Sequence, residues 1–293
     1  MTQHIRLYYS SNNINFGDQL SRYLIKKITG LGIERAKDRT DNKLVAIGSL
    51  LTPRVLLSRS IVWGTGTLTS KSIRRWPKNL FPLNRCLSDF VSSIIKYHHK
   101  NSLFKAVRGP LTRDQIINFG YNCPEIYGDP AILLPRFYKS QSEKKFPIGL
   151  IAHHKHESNL DKSILSDFGI HAISIKRSTD KELEEFIDEL NSCQCIYSTS
   201  LHGLITAIAY GIPCRWLKIQ NSPIHHEENY KFNDFFLGVN KTPMSPLIIP
   251  TLSLTNLQKL SLHSTQIITI KANIQDNLIN SFPFDLVANF STS

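Results

Sequence analysis

Short apolar runs that end in a glycine or a small polar residue recur along this chain. Residues 44–47 run into Gly48, and residues 61–63 run into Gly64. Runs of this kind are typical of strands that are buried on both faces of a parallel sheet. Further strands are predicted at residues 4–9, 104–107, 125–127, 148–152, 170–175, 195–197 and 214–217.

Helical periodicity separates many of these strands. Residues 18–28 place apolar side chains at helical spacing, and Gly30 ends that segment. The helix at residues 179–190 opens with a capping box of Thr179 and Glu182. Further helices are predicted near residues 112–119, where Thr112 and Gln115 fit a second capping box, and at residues 201–210, 254–261 and 271–280.

This alternation of strands and helices occurs twice, before and after a linker at residues 135–147. It indicates an α/β protein with two doubly wound, Rossmann-like domains. We expect a basic domain over residues 1–140 and a second domain over residues 141–293, with the option that its last helices pack back on the first domain. Ligands of such sheets bind beyond the carboxyl ends of the strands, so the two domains are expected to face a cleft.

One predicted strand, residues 195–197, runs through a polar turn into a helix. Ser198, Thr199 and Ser200 stand at the expected N-cap, where their hydroxyls can accept from free N–H groups of the helix. The same N–H groups and the helix dipole favour an anion. His202 enters in the first turn, where an imidazole can bind that anion or transfer a proton. The alternative is a capped helix whose histidine has no chemical role.

The composition fits a globular protein with a sizeable core. Hydrophobic residues make up 41% and charged residues 20% of the chain, and no apolar run approaches the length of a membrane span. The start of the chain lacks the apolar core of a signal peptide, so we expect a cytoplasmic protein. Five cysteines without a CxxC pair argue against a disulfide framework or a zinc site.

The net charge of +12 is concentrated in the first half of the chain. Residues 1–140 contain 22 Lys and Arg against 8 Asp and Glu, whereas residues 141–293 contain 13 against 15. This asymmetry favours an acidic partner, namely a phosphorylated lipid, an anionic glycan, a membrane surface or a nucleic acid. Residues 71–105 interleave basic and aromatic side chains, as expected of a face that contacts a membrane or an acceptor, or of a solvated helical face.

Eight separated stretches together resemble the polysaccharide pyruvyltransferase family, in the family's order and over residues 15 to 236. They are Asn15-Phe16-Gly17-Asp18, Gly48-Ser49, Trp63-Gly64-Thr65-Gly66, Val107-Arg108-Gly109-Pro110-Leu111-Thr112, Tyr127-Gly128-Asp129-Pro130-Ala131, Ile148-Gly149-Leu150-Ile151-Ala152-His153, Ser198-Thr199-Ser200-Leu201-His202-Gly203-Leu204 and Lys231-Phe232-Asn233-Asp234-Phe235-Phe236.

The resemblance implies a GT-B-like fold and a ketal pyruvyltransferase, with the basic domain on the acceptor side and the second domain on the donor side. Such an enzyme transfers pyruvate from phosphoenolpyruvate to two hydroxyls of a sugar in a cell-surface glycan and releases phosphate. Phosphoenolpyruvate is its donor substrate, and no cofactor is implied. Its other partner is an oligosaccharide or lipid-linked glycan acceptor, with peripheral contact at the anionic inner face of the membrane left open and no nucleic acid.

That chemistry needs cations or N–H donors for the donor's phosphate and carboxylate, an acid for its methylene carbon and a base for each attacking hydroxyl. We therefore predict His202, Asp18 and Arg108 as catalytic residues. The alternatives are an N-cap for Asp18 and a peripheral salt bridge for Arg108. The predicted substrate-binding residues are Asn15, Gly17, Ser49, Thr65, Arg108, His153, Ser198, Ser200, Leu201 and Lys231.

Ser200 and Asp129 are interpreted differently from the other residues of these stretches. Some family members carry Arg directly before the Leu-His pair, but this chain has Ser200 there, so one donor contact must come from elsewhere. Asp129 precedes Pro130 and is interpreted as a turn or cap residue. No metal is expected, because the spacing of His153, His154 and His156 matches no strong metal site.

Two other functions stay open. A nucleotide-sugar glycosyltransferase of the GT-B class, acting in surface polysaccharide synthesis, would often carry a pair of carboxylates with about seven residues between them. Glu227 and Glu228 have Phe235 and Phe236 at those positions, which weighs against this function. A basic protein that binds acidic glycan or nucleic acid would explain the charge, but it leaves the polar strand ends without a purpose.

Overall fold

The computed structural model of the protein describes residues 4–10, 14–56, 58–73, 102–158, 160–240 and 242–286. Its strands form two five-stranded sheets, in the orders β2-β1-β3-β4-β5 and β10-β9-β8-β6-β7, and every pair of neighbouring strands is parallel. The predicted α/β class is confirmed. The strands are β1 (His4–Tyr8), β2 (Gly32–Arg35), β3 (Lys43–Val45), β4 (Ser60–Trp63), β5 (Leu103–Ala106), β6 (Phe146–Ile151), β7 (Ile170–Ile173), β8 (Cys193–Ser198), β9 (Cys214–Ile219) and β10 (Leu247–Ile249).

Helices follow most of these strands, as right-handed crossovers between parallel strands require. Short 3₁₀ helices cover Pro130–Leu133 and Lys259–Leu262. The α-helices of the described residues are α1 (Phe16–Thr29), α2 (Pro53–Leu56), α3 (Pro110–Phe119), α4 (Leu134–Phe137), α5 (His154–Glu157), α6 (Lys162–Asp167), α7 (Asp180–Asn191), α8 (Leu201–Ala209), α9 (Glu228–Asn240), α10 (Leu254–Gln258) and α11 (Ala272–Asn280).

The first sheet differs from the sequence prediction at its edges. Residues 125–127 form no strand, and only an isolated parallel bridge joins Val107 to Tyr127. The fifth strand is β2, which pairs with β1 and is largely exposed. An edge strand with little burial carries no continuous apolar run, so its sequence has no pattern that would predict it.

Two predicted caps are also corrected. Helix α1 begins at Phe16, and its N-cap is Asn15, whose side chain accepts from Gly17 N at 2.9 Å. Asp18 therefore lies in the first turn and does not cap the helix. Helix α3 begins at Pro110 after an N-cap of Gly109, so Thr112 and Gln115 form no capping box. The predicted capping box of Thr179 and Glu182 and the helix end at Gly30 are confirmed.

Helix α1 joins the amino-terminal half (residues 4–137) to the carboxyl-terminal half (residues 146–286). Its Phe16 ring stacks on Phe186 with centroids 4.0 Å apart, and the Phe16 N–H donates to the Ile175 carbonyl at 2.8 Å. Arg22 pairs with Asp180 at 2.7 Å. These contacts direct the carboxyl ends of strands from both sheets toward one common region.

Helices from the end of the chain also cross to the first sheet. The indole N–H of Trp63 donates to the Leu278 carbonyl of α11 at 2.9 Å. The Tyr230 hydroxyl of α9 donates to the Leu111 carbonyl at 2.9 Å. No helix of the described residues is long and apolar enough to cross a membrane. The basic and aromatic stretch predicted at residues 71–105 lies mostly outside those residues.

Candidate active site

His202 lies in the first turn of α8, in contact with the first turn of α1 from the other half. A Cβ atom added to Gly17 would stand 2.2 Å from His202 Nδ1, so only glycine allows this approach. The His202 side chain keeps 17% of its surface exposed. The imidazole is therefore held between the two halves and stays partly exposed, although Nε2 itself is buried.

Asp129 faces the other side of the His202 ring. Its Oδ2 lies 3.7 Å from His202 Nε2, and the carboxylate is fully buried. Its Oδ1 accepts from Ala131 N at 3.1 Å, so Asp129 caps a 3₁₀ helix as the sequence indicates. Within the described residues, Asp129 Oδ2 and His202 Nε2 have no hydrogen-bond partner. The pair is slightly too long for a hydrogen bond.

Two histidines follow strand β6 and face the same region. The ring centroids of His153 and His154 lie 4.0 Å apart, and His153 Nδ1 accepts from Lys155 N at 3.4 Å. Burial, together with the neighbouring His154 and Lys231, lowers the pKa of His153 to about 2, so this ring is neutral. His154 Nδ1 lies 3.5 Å from Asn15 Nδ2 of the other half.

Asp18 lies close enough to His154 and Lys231 to affect both. Burial lowers the pKa of His154, and the Asp18 carboxylate partly opposes that effect. Asp18 likewise raises the pKa of Lys231. An acid from α1, a histidine from the β6 end and a lysine from α9 thus share one site.

Lys231 supplies a buried cation in the first turn of α9. The residue is 9% exposed, and its Nζ lies 5.5 Å from the centroid of the Phe232 ring. Burial, reinforced by the Arg108 charge, lowers the pKa of Lys231 to about 8 although Glu228 and Asp18 oppose the shift. Across the described chain, no oxygen accepts a hydrogen bond from this ammonium group.

Arg108 lies deeper and is fully engaged. Its Nε donates to Asp234 Oδ2 at 3.0 Å, its Nη1 to Ser49 Oγ at 2.7 Å and its Nη2 to the Thr67 carbonyl at 2.6 Å. The Arg108–Asp234 ion pair has no exposed surface, so the salt bridge is central and not peripheral as the sequence alternative had it. The geometry gives Arg108 a bracing role, and its catalytic assignment stays a prediction.

The other predicted strand-end residues hold loops together. Thr65 Oγ1 donates to the Gly48 carbonyl at 2.8 Å, and Ser49 contacts Arg108 as described. Ser198 Oγ accepts from Ser200 N at 3.0 Å and donates to the Ile151 carbonyl at 3.1 Å. These side chains shape the site from beneath.

The predicted hydroxyl cap of the His202 helix is wrong. Ser200 is the N-cap residue, but its side chain makes no capping hydrogen bond. Thr199 Oγ1 accepts instead from His153 N at 2.8 Å, which ties the β6 and β8 ends together. Ser200 and Leu201 are both buried. The first N–H groups of α8 therefore have no side-chain acceptor from this turn.

The structure thus brings most of the predicted residues together and adds two more. Asp129 is read from the sequence as a cap alone, and His154 as the neighbour of a site residue. Only the fold shows that Asp129 lies against His202 and that His154 lies close enough to Asp18 to be affected by its charge. Within the described residues, no three His, Cys, Asp or Glu side chains are grouped to hold a metal ion.

The fold and the site define an α/β protein with a histidine–carboxylate pair and buried cations where two parallel sheets meet. A family model for polysaccharide pyruvyl transferase matches residues 15–221. The chain therefore belongs to the polysaccharide pyruvyl transferase family, which confirms the resemblance seen in its sequence. Membership supports a transferase of polysaccharide biosynthesis with a glycan acceptor.

Two individual proteins are similar to this chain. An uncharacterized protein of Acanthamoeba polyphaga mimivirus is 23% identical over 237 residues, which cover 79% of this chain and 73% of that protein. The crystal structure of a functionally uncharacterized protein from Klebsiella pneumoniae is 13% identical, with a TM-score of 0.44, and the match covers 84% of this chain and 92% of that one.

Proposed function

We propose that this protein transfers pyruvate from phosphoenolpyruvate to two hydroxyls of a glycan sugar, as a cyclic ketal, with release of phosphate. The observation that carries the proposal is the convergence of the His202–Asp129 pair, Asp18 and the Lys231 ammonium from both halves of the chain. Proton transfer and anion binding are the two demands of this reaction, and both are met within one site. The facing strand ends support a GT-B-like arrangement, with residues 1–140 on the acceptor side and 141–293 on the donor side.

The reaction forms two C–O bonds at C2 of the donor and breaks the C2–O bond to phosphate. A proton adds to the methylene carbon, and the resulting cation at C2 is attacked by the first hydroxyl. Phosphate then leaves, and the second hydroxyl closes the ketal. The two hydroxyls lose two protons in total, of which one balances the proton gained by carbon and the other leaves with phosphate.

His202 is assigned the proton transfers. Its imidazole is partly exposed, and Nε2 lies 3.7 Å from a buried carboxylate that can orient the ring. Asp18, in the first turn of α1, is assigned as the second base. The neutral His153 ring and the exposed face of Asn15 are assigned to hydrogen bonds with substrate hydroxyls.

Lys231 is assigned to bind the negatively charged group of the donor. Ser200 replaces the arginine found in some family members, and Arg108 is already neutralised by Asp234. Among the described residues, no carboxylate accepts a hydrogen bond from Lys231. Lys231 is then the buried cation of the site that can bind the donor. An ammonium binds phosphate or carboxylate as a point charge, so it does not reproduce the fork of the missing guanidinium.

The experiment is a phosphate-release assay with phosphoenolpyruvate, in the presence and absence of bacterial oligosaccharide and lipid-linked glycan fractions. We expect phosphate release only when both substrates are present. We also expect acceptor-dependent release to occur without nucleotide sugar or added metal. Transfer of a hexose from a nucleotide sugar, with no use of phosphoenolpyruvate, would overturn the proposal in favour of a glycosyltransferase.

A further inference from the structure

Asp234 joins the two halves of the chain at one buried point. It comes from α9 in the carboxyl-terminal half, yet the hydrogen bonds that its side chain makes with described residues all go to the amino-terminal half. Its Oδ2 accepts from Arg108 Nε at 3.0 Å and from Thr112 Oγ1 at 2.7 Å, and its Oδ1 accepts from Thr112 N at 2.9 Å. Neither side chain of the Arg108–Asp234 pair has any exposed surface.

The backbone around this pair is also closely packed. A Cβ atom added to Gly109 would stand 1.7 Å from the Asp234 carbonyl oxygen. One added to Gly238 would stand 2.5 Å from the Arg108 carbonyl oxygen. Both contacts need glycine, so α9 lies directly on the chain that follows β5. Backbone contacts this close are tighter than those of a loosely packed interface between two halves of a chain.

Lys231 precedes Asp234 by three residues on the same helix, and residues at this spacing share one face. Asp234 is held in the amino-terminal half, whereas Lys231 reaches the site where the two sheets meet. The charged and titratable groups that face its ammonium come from several elements. They are Arg108, Glu228, Asp18 and Lys155, together with the rings of His153, His154 and His225.

We propose that Asp234 is a positioning residue that places the Lys231 ammonium in the site, by anchoring α9 to Arg108 and Thr112. This inference rests on the proposed function, because it gives Lys231 the donor's anionic group to bind. Asp234 itself touches no substrate. It acts by fixing the helix and by offsetting the Arg108 charge, which otherwise disfavours a second cation nearby.

The main experiment compares Asp234→Asn with the wild-type protein, well below the melting temperature of both. The amide keeps the shape of the side chain but removes its charge. We expect the donor KM, and the Kd for inorganic phosphate, to rise about tenfold, as for loss of one hydrogen bond to a charged group, with a smaller change in kcat. An unchanged KM and Kd in the folded variant would overturn the proposal.

Two further variants separate positioning from stability. Thr112→Val removes one of the three hydrogen bonds to Asp234 and keeps the Asp234 charge. We expect it to raise the donor KM about threefold. This variant tests the proposal even if Asp234→Asn fails to fold. Lys43→Met removes a buried cation at the opposite end of the first sheet. It is expected to lower the melting temperature while the donor KM stays within twofold of wild type.

A last measurement needs no substrate. The titration of Lys231 can be followed by NMR after ¹³C-methylation of lysines, with the signal assigned by its loss in Lys231→Met. Without Asp234, the uncompensated Arg108 charge is expected to lower the pKa of Lys231 further below about 8. An unchanged titration contradicts the inference even if the protein proves not to use phosphoenolpyruvate. If the titration of Lys231 shifts but the protein shows no donor turnover, the positioning role of Asp234 stands and the proposed function is wrong.

Discussion

Two buried lysines occupy opposite ends of the structure and have opposite surroundings. Lys43 opens strand β3 with no exposed surface, and its Nζ donates to the carbonyls of Thr40 and Val55 and to the Ser58 hydroxyl. The Lys231 ammonium donates no hydrogen bond to any described residue. Burial lowers the pKa of each to about 8. The two lysines are similarly buried, but the Lys43 ammonium has three hydrogen-bond acceptors and the Lys231 ammonium has none among the described residues.

The same contrast extends to the groups around each lysine. Near Lys43, the Ser60 hydroxyl donates to the Val55 carbonyl at 2.9 Å and the Ser102 hydroxyl donates to the Ser58 carbonyl at 3.0 Å. At the candidate active site, both facing atoms of the His202–Asp129 pair lack partners within the described chain. An unsatisfied buried polar group costs about 1–3 kcal/mol, and under the proposed function a bound substrate offsets that cost at the candidate active site.

The largest expected effect is at His202. Replacing it by Gln is expected to lower kcat by about 10²–10⁴-fold, because a positioned general acid or base contributes that much. The circular dichroism spectrum and the melting temperature should stay close to wild type, since the ring is partly exposed. Steady-state phosphate release measures the rate. A kcat within threefold of wild type would remove His202 from the chemistry.

The next effect separates the two lysines by function. Lys231→Met is expected to raise the donor KM by about 10- to 100-fold, as for loss of a hydrogen bond to a charged group, without lowering the free energy of unfolding. Lys231→Arg should recover part of the affinity. A donor KM that is unaffected by Lys231→Met would show that the unpaired ammonium is not the anion ligand.

Lys43→Met should have the opposite signature. It leaves two buried carbonyls and a hydroxyl without their donor, so we expect a loss of about 2–4 kcal/mol in the free energy of unfolding. The donor KM should not change. Urea unfolding curves and donor kinetics on the same preparation give both values. If this variant lost donor affinity while keeping its stability, the contrast between the two lysines would fail.

The pH dependence gives the smallest and most specific difference. Each lysine has a folded-state pKa near 8, below the unfolded value of about 10.4, so the unfolded state binds more protons between these limits. The contribution of each lysine to the free energy of unfolding therefore rises with pH across that window. Below about pH 8 each buried charged lysine destabilises the folded state by its full amount. Donor kcat/KM is expected to fall over the same window as Lys231 loses its charge. Lys43→Met should keep this alkaline decline, and Lys231→Met should lack it.

Much of the fold could be predicted because buried parallel strands and capped helices carry local patterns. The strand ends at Gly48 and Gly64 and the capping box at Thr179 are short-range features that a sequence displays directly. Strand β2 could not be predicted, because it lies exposed at an edge. Helix α9 is absent from the predicted helices, and its Tyr230 and Asp234 bond to the amino-terminal half, a long-range contact that no local pattern displays.

The site was predictable only in part for a similar reason. His202, Asp18 and Lys231 stand at positions where a pattern or a family resemblance draws attention to them. The partner of His202 is Asp129, which is distant in sequence and looks like an ordinary cap. Arg108 was expected to face an anion, but its partner Asp234 lies 126 residues further along the chain. Such pairings depend on the meeting of the two sheets, which no local pattern encodes.

The most direct test of the central claim follows the methylene carbon of the donor. The protein is incubated with phosphoenolpyruvate and a glycan acceptor in deuterium oxide, and the modified acceptor is analysed by mass spectrometry. Because an acid that exchanges with solvent protonates C3, the account predicts an acceptor that carries a pyruvate ketal with one deuterium in its methyl group, and no such product with His202→Gln. A ketal without solvent deuterium, or an acceptor that gains a hexose instead, would contradict it.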